Sequence, residues 1–161
     1  LYTGLNIATM PDGMLEGIIS RHNVSKDKAA EILDIYKTRR SQFLKLLKSE
    51  EVREVVVLPG TNHAPGEQLL PHVNLSIELL DTNLTYTQEE YEAHLAAVKE
   101  LAASESNYHI TFTDSHPLHD IQVISLKDTT IAMRCREPLA AFVFTNPLLA
   151  KEMRDYLHNL F

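Results

Sequence analysis

The sequence predicts a mixed α/β (α+β) fold, with two N-terminal helices followed by a mixed β-sheet on which further helices pack, in the order ααβαββββα. Three observations predict it. Apolar residues recur at helical spacing through most of the first fifty positions, a strand–helix–strand succession fills the middle, and short β-rich runs form a meander before a last helix. The expected division is a helical arm over 1–50, serving linkage or dimer contact, and an α/β body over 51–161. With 161 residues, 44% hydrophobic and 23% charged, the chain can bury a real core and falls outside the disordered class.

Pro11 and Asp12 open a short helix in which Met14, Leu15, Ile18 and Ile19 share one side, ending near Asn23. Ser25 reads as the N-cap of a longer helix to about Ser49, with Ala29, Ile32, Leu33, Tyr36, Phe43, Leu44 and Leu47 on one side. The β-branched run from Val52 to Leu58 is a buried strand stopped by Pro59-Gly60. Residues 59–74 read as loop, and Leu75 to Leu80 as either a strand or a helical turn.

Thr87-Gln-Glu-Glu90 is a capping box, and Tyr91, Leu95, Val98 and Leu101 carry a helix over about 88–103. Strands follow at Tyr108 to Thr113, Ile121 to Leu126, Thr130 to Arg134 and Ala140 to Thr145, with Lys127-Asp128-Thr129 as a tight hairpin connection. Asn146-Pro147 is an N-cap with a first-turn proline, and Leu148, Leu149, Met153, Tyr156, Leu157 and Leu160 are available for packing on the final helix.

Charge and composition exclude several functions. Residues 1–50 hold eight Lys/Arg against six Asp/Glu, and residues 51–161 hold seven against sixteen, so the body is strongly acidic within a net charge of −7. Such a body repels phosphate backbones, and extensive nucleic-acid contact by it is not expected. The longest apolar runs are too short to cross a bilayer, which takes about 20 residues. The chain opens on Leu1 and not on methionine, and its first ten residues lack a signal-peptide pattern, so an excised piece is expected, with more chain upstream. The lone Cys135, in the alternation Ile131, Met133, Cys135, reads as a buried structural thiol suited to a reducing cytoplasm.

The best local metal group is His116-Pro-Leu-His119-Asp120, which would need a further ligand from His63, His72 or His109 to complete a zinc site. Its spacing matches no fixed zinc pattern, and a polar loop explains the same letters, so no metal and no cofactor are expected. A small metal-dependent hydrolase built on His116, His119 and Asp120 is the alternative reading. Nucleophilic catalysis has no Gly-x-Ser-x-Gly elbow to stand on, and phosphate binding has no glycine-rich loop, so no enzyme is expected. Lys127, Arg134 and Arg136 form a basic cluster about a hairpin that could hold an anion or an acidic ligand, with His116 and His119 as further candidate ligand-binding residues. Leu15 to Leu33 has the outline of a helix-turn-helix. Its second helix, carrying Lys26, Lys28, Lys37, Arg39 and Arg40, is too long for a reader, and packing against a partner subunit is favoured over reading DNA.

The segments GMLEGIISRHNVSKDKAAEILDIYKTRRSQFLKLL, VREVVVL, YTQEEYEAHLAAVKELAASESNYHITF and AFVFTNPLLAKEMRDYLHNLF together resemble the region that follows the DNA-binding domain in bacterial helix-turn-helix regulators of the xenobiotic-response-element type. The resemblance covers most of the chain through structural patterns, none of them chemical. It implies an effector-sensing or oligomerising regulatory domain of a cytoplasmic transcriptional regulator. A homodimer is expected, responding to a small-molecule or protein effector and touching DNA only through a domain upstream of Leu1. A protein-interaction module without a ligand is the further alternative. The strand-rich second half also resembles the phospholipase-D-like fold, whose chemistry depends on His-x-Lys followed by Asp. No His-x-Lys occurs, and Ser125-Leu126-Lys127-Asp128 has serine where the nucleophilic histidine would stand, so that activity is not implied.

Overall fold

The computed structural model describes residues 2–3, 5–57, 73, 84–113, 121–126, 128–134 and 140–159. The α+β class is observed. The strands are β1 (Tyr2–Thr3), β2 (Val52–Val57), β3 (Tyr108–Thr113), β4 (Ile121–Leu126), β5 (Thr129–Arg134) and β6 (Ala140–Phe144). The helices are α1 (Met14–Arg21), α2 (Lys26–Leu47), α3 (Gln88–Ser104) and α4 (Pro147–Asn159), and a 3-10 turn at Ile7–Thr9 follows β1. No helix among the described residues is long and apolar enough to cross a membrane.

The six strands form one sheet in the order β3-β2-β1-β4-β5-β6. β1 is parallel to β2, and β2 to β3, whereas β4 runs antiparallel to β1 and continues as an antiparallel meander through β5 and β6. The sheet thus has a parallel half and an antiparallel half, joined at a two-residue strand. Sequence patterning did not place β1, because two residues carry no period and its strand character comes only from its neighbours.

The crossovers β1–α1–α2–β2 and β2–α3–β3 run the same way along the sheet, and a common hand puts all three helices on one face. Their apolar sides meet Val52, Val56 and Tyr108 in one core with Leu15, Ile18, Ile32, Tyr36, Phe43 and Val98. Leu5, Ile7, Ala8 and Met10 belong to that core too. α2 is a crossover helix whose Ile32, Tyr36, Phe43 and Leu47 are buried, Phe43 edge-on to Tyr108 of β3 and Tyr36 bonded to the Met10 carbonyl, leaving Leu44 exposed. Fully burying side chains of this kind stabilises by roughly 1.5–3 kcal/mol each.

α4 lies on the opposite face. The register Tyr2↔Glu54 and Tyr2↔Ile124 sets position 124 level with Glu54, so Val123 and Ser125 take the other side, where they are buried with Thr130, Ala150 and Leu157. The expected packing of α4 holds for Leu157 and is corrected for Leu148, Leu149 and Tyr156, which face solvent, while Ala150 is buried in their place.

Local signals at the helix ends behave as the sequence predicts. Ser25 accepts from the Lys28 N–H, Thr87 and Glu90 exchange the two bonds of a capping box, and the Asn146 side chain accepts from the N–H groups of Leu148 and Leu149. α1 begins after Gly13 at φ 78° and is followed by Asn23 at φ 51°, both left-handed positions suited to their residues. The predicted hairpin is seen as the pairing Leu126↔Thr129. The expectations for Leu75 to Leu80 and for Cys135 fall outside the described residues.

Candidate functional site

Of the residues expected to bind a ligand, His116, His119, Lys127 and Arg136 lie outside the described residues, as do Asp120, His63 and His72. Arg134 ends β5, level with Ile121 of β4 and Ala140 of β6. His109 is described: it stands exposed on β3, 3.4 Å from Glu51, which also pairs with Arg53 at 2.7 Å. Among the described residues no three His, Cys, Asp or Glu side chains gather as a metal site. β2 and β3 end level with each other, at Val57 and Thr113. Ligands of open α/β sheets bind at such carboxyl ends, and the histidine-bearing segments follow these two strands directly in sequence.

Of the basic residues on α2, Arg40 does not reach outward. It donates to the carbonyls of Met10 at 2.6 Å and Ala8 at 3.4 Å, contacts the Tyr36 hydroxyl at 3.0 Å, and pairs with Asp12 at 3.1 Å. It thereby ties the 3-10 turn and its exit to α2. Arg21 does the same for α3, donating to the Thr85 carbonyl at 2.7 Å and pairing with Glu90 at 2.6 Å.

The described chemistry concentrates where β1 gives way to the 3-10 turn. Glu54, alternating with Val52 and Val56 on the helix-covered face, is 1% exposed. Its Oε1 accepts from the Asn6 N–H at 2.8 Å and its Oε2 from the Tyr108 hydroxyl. Burial pushes the Glu54 carboxyl up to about 7, against the pull of those two donors. Three residues on, the Asn6 turn meets a second buried group through Thr9. Thr9 donates to the Asn6 carbonyl at 2.7 Å, so its oxygen must accept from His94 Nε2–H at 2.9 Å, and His94 Nδ1 accepts from the Tyr86 hydroxyl at 2.9 Å. This chain of donors fixes the Nε2-protonated tautomer.

His94 is wholly buried, and desolvation brings its pKa down to about 4, opposed by a backbone hydrogen bond to Asn6. Burial also raises the hydroxyls of Tyr86 and, to about 12, Tyr91, so both stay neutral donors. Glu54 and His94 therefore touch protein groups on every polar atom described. Their role is to hold the 3-10 turn between β2 and α3, and each is satisfied as a buried polar group must be.

Neither residue was singled out from sequence, although a signal existed for both. Strict alternation in VREVVV places Glu54 with Val52 and Val56 and sets Arg53 opposite, and His94 stands three after Tyr91 and four before Val98 on the apolar side of α3. On the other side of the molecule, five large apolar side chains stand open in one short stretch: Phe142 and Val143 on β6, and Leu148, Leu149 and Tyr156 on α4. Comparison with known proteins finds no matching family model, no matching curated protein and no matching solved structure.

Proposed function

We propose that this chain is an effector-sensing or oligomerising regulatory domain of a cytoplasmic transcriptional regulator, acting as a homodimer and touching DNA only through a helix-turn-helix domain joined ahead of β1. The observation that carries the reading is the position of β1. It bonds to the parallel half through β2 and to the antiparallel half through β4, and the buried Asn6 turn follows it at once. A domain joined ahead of Tyr2 is tied to the seam of the sheet, and any shift of one half against the other reaches it.

An effector acts through this seam only by binding two arrangements with different affinity, which is the thermodynamic requirement of any such coupling. Support also comes from Glu54 and His94, which serve the turn and present nothing to a substrate. The test uses the full-length protein: its mass in solution, and its binding to operator DNA by fluorescence anisotropy. A dimer whose DNA affinity changes several-fold on Glu54→Gln supports the reading. A full-length protein that is monomeric and has no affinity for DNA overturns it.

A further inference from the structure

β6 is the outer strand of the antiparallel half, hydrogen-bonded to β5 on one side and to no other strand among the described residues on its second side. Its sequence, Ala140-Ala-Phe-Val-Phe144, contains no charge and no proline. Exposed strand edges are ordinarily blunted by lysines, prolines, bulges or a covering element, because an open ladder of N–H and C=O groups templates the addition of another strand. Five of the six exposed large hydrophobic side chains of the described residues fall between 142 and 156, with Phe142 at 60% and Leu148 at 75%. Val143 turns to the other face of the sheet with Ile131, and the remaining four leave on the order of 400 Å² of apolar surface open on the α4 side, a size that marks an association site on a soluble protein.

We propose that this surface is the contact between two copies of the chain, in which β6 pairs antiparallel with β6 of the second copy and the two α4 helices lie side by side. The inference rests on the oligomerising part of the reading above and names the surface that performs it.

Three features select a second copy over any other occupant. The first is size. Paired antiparallel about Phe142, the strand sets Ala140 opposite Phe144, Ala141 opposite Val143 and Phe142 opposite itself, so that each small residue receives a large one. The second is symmetry. A two-fold axis between antiparallel neighbours stands perpendicular to the sheet, so both α4 helices share one face, the face on which Phe142 also stands by its register with Ala132. At helical spacing, Leu148, Leu149 and Tyr156 form a stripe on the flank of α4 opposite Arg154, which reaches Ser125 of β4.

The third is charge. The chain carries −7 and two copies repel overall, but residues 140–159 hold Lys151 and Arg154 against Glu152 and Asp155 and are neutral. The helix stripe is thus a locus where a copy approaches without like-charge cost, and reversed copies set the basic and acidic positions of α4 against each other. The area open on the α4-side apolar side chains is about half of the roughly 800 Å² per partner of a standard interface, before the strand backbone and flanking polar side chains are counted.

The test is the mass of the 161-residue chain in sedimentation velocity across micromolar concentrations. The parent is expected at twice 18.2 kDa. Phe142→Lys and Leu149→Lys, both at exposed positions, are each expected to raise the dimer dissociation constant at least about tenfold with unchanged circular dichroism. Leu44→Lys, at the exposed apolar position outside the surface, leaves it unchanged. A second measurement is independent of the strength of association. In a Cys135→Ser background, Phe142→Cys places two thiols across the two-fold at a separation a disulfide spans, and oxidation cross-links it, whereas Leu44→Cys stays uncrosslinked.

A dimer that survives both lysine variants and shows no cross-link at position 142 overturns this surface while leaving oligomerisation standing. A parent chain that is monomeric throughout overturns both. Loss of dimer in the lysine variants with cross-linking at 142 establishes the surface whatever the full-length protein does with DNA.

Discussion

The two halves of the sheet solve the same problem in opposite ways. On the parallel half, three helices cover one face, and on the other face the described residues Arg53, His109 and Thr111 are exposed polar groups at home in water. On the antiparallel half, one helix covers one face over a small cluster of Val123, Ala150 and Leu157, and what remains open is Phe142, Val143, Leu148, Leu149 and Tyr156. The parallel half even buries charge-bearing groups, Glu54 and His94, and satisfies them internally. The difference teaches that the first half is finished as a monomer and the second is not, because apolar surface left in water costs about 25 cal/mol per Å² until something covers it.

Breaking the finished half should give the largest effect. Ile32→Ala, at a fully buried position of α2, is expected to lower unfolding free energy by about 2–5 kcal/mol in urea titration. A loss under about 1 kcal/mol there would mean that α2 does not belong to the main core.

Next come the two buried titratable groups, whose linkages oppose each other. Glu54 has its pKa raised from 4.5 to about 7, so the stability it contributes is full below 4.5 and is lost as pH rises through 7. His94 is lowered from 6.5 to about 4, so its contribution is full above 6.5 and is lost as pH falls through 4. Each linked proton tilts stability by about 1.4 kcal/mol per pH unit, and between 4.5 and 6.5 the two slopes cancel. Glu54→Gln should therefore lose stability on acidification over that window, and His94→Gln on alkalinisation. Urea unfolding at several pH values checks this, and parallel profiles for parent and both variants would sink it.

Smaller effects separate the halves further. Thr87→Ala removes the cap of α3 and should cost about 1 kcal/mol, read as a lowered midpoint in thermal unfolding. Leu148→Ser, on the open stripe, should leave the monomer within about 0.5 kcal/mol of the parent when unfolding is followed at high dilution. A large loss would place Leu148 in a core and erase the contrast.

Much of the fold was legible because its signals are local. Ser25, the Thr87–Glu90 box and Asn146-Pro147 act within four residues, so they survive any tertiary context. The strands from β2 onward declare themselves by β-branched runs bounded by turn residues. β1 was not legible, since two residues are a strand only by virtue of β2 and β4. α2 was readable as a helix but not as a crossover, because amphipathicity says that one side is buried and not against what. The site suffered most. Patterning drew attention to the histidine-rich and basic loops, which lie largely outside the described residues, while Glu54 was absorbed into a run of valines and α4 gave no way to tell which of its leucines would face water.

The pairing of Tyr2 with Ile124 has a consequence in time. Contacts between positions so far apart close late, because the intervening chain must first be brought together against its loop entropy. On a ribosome, β2 and β3 emerge before β4, and β1 must wait beside β2 for a partner some 120 residues later. The middle of the sheet is thus sewn only after its parallel half, and a nascent chain stalled before position 124 holds β1 with one edge bare.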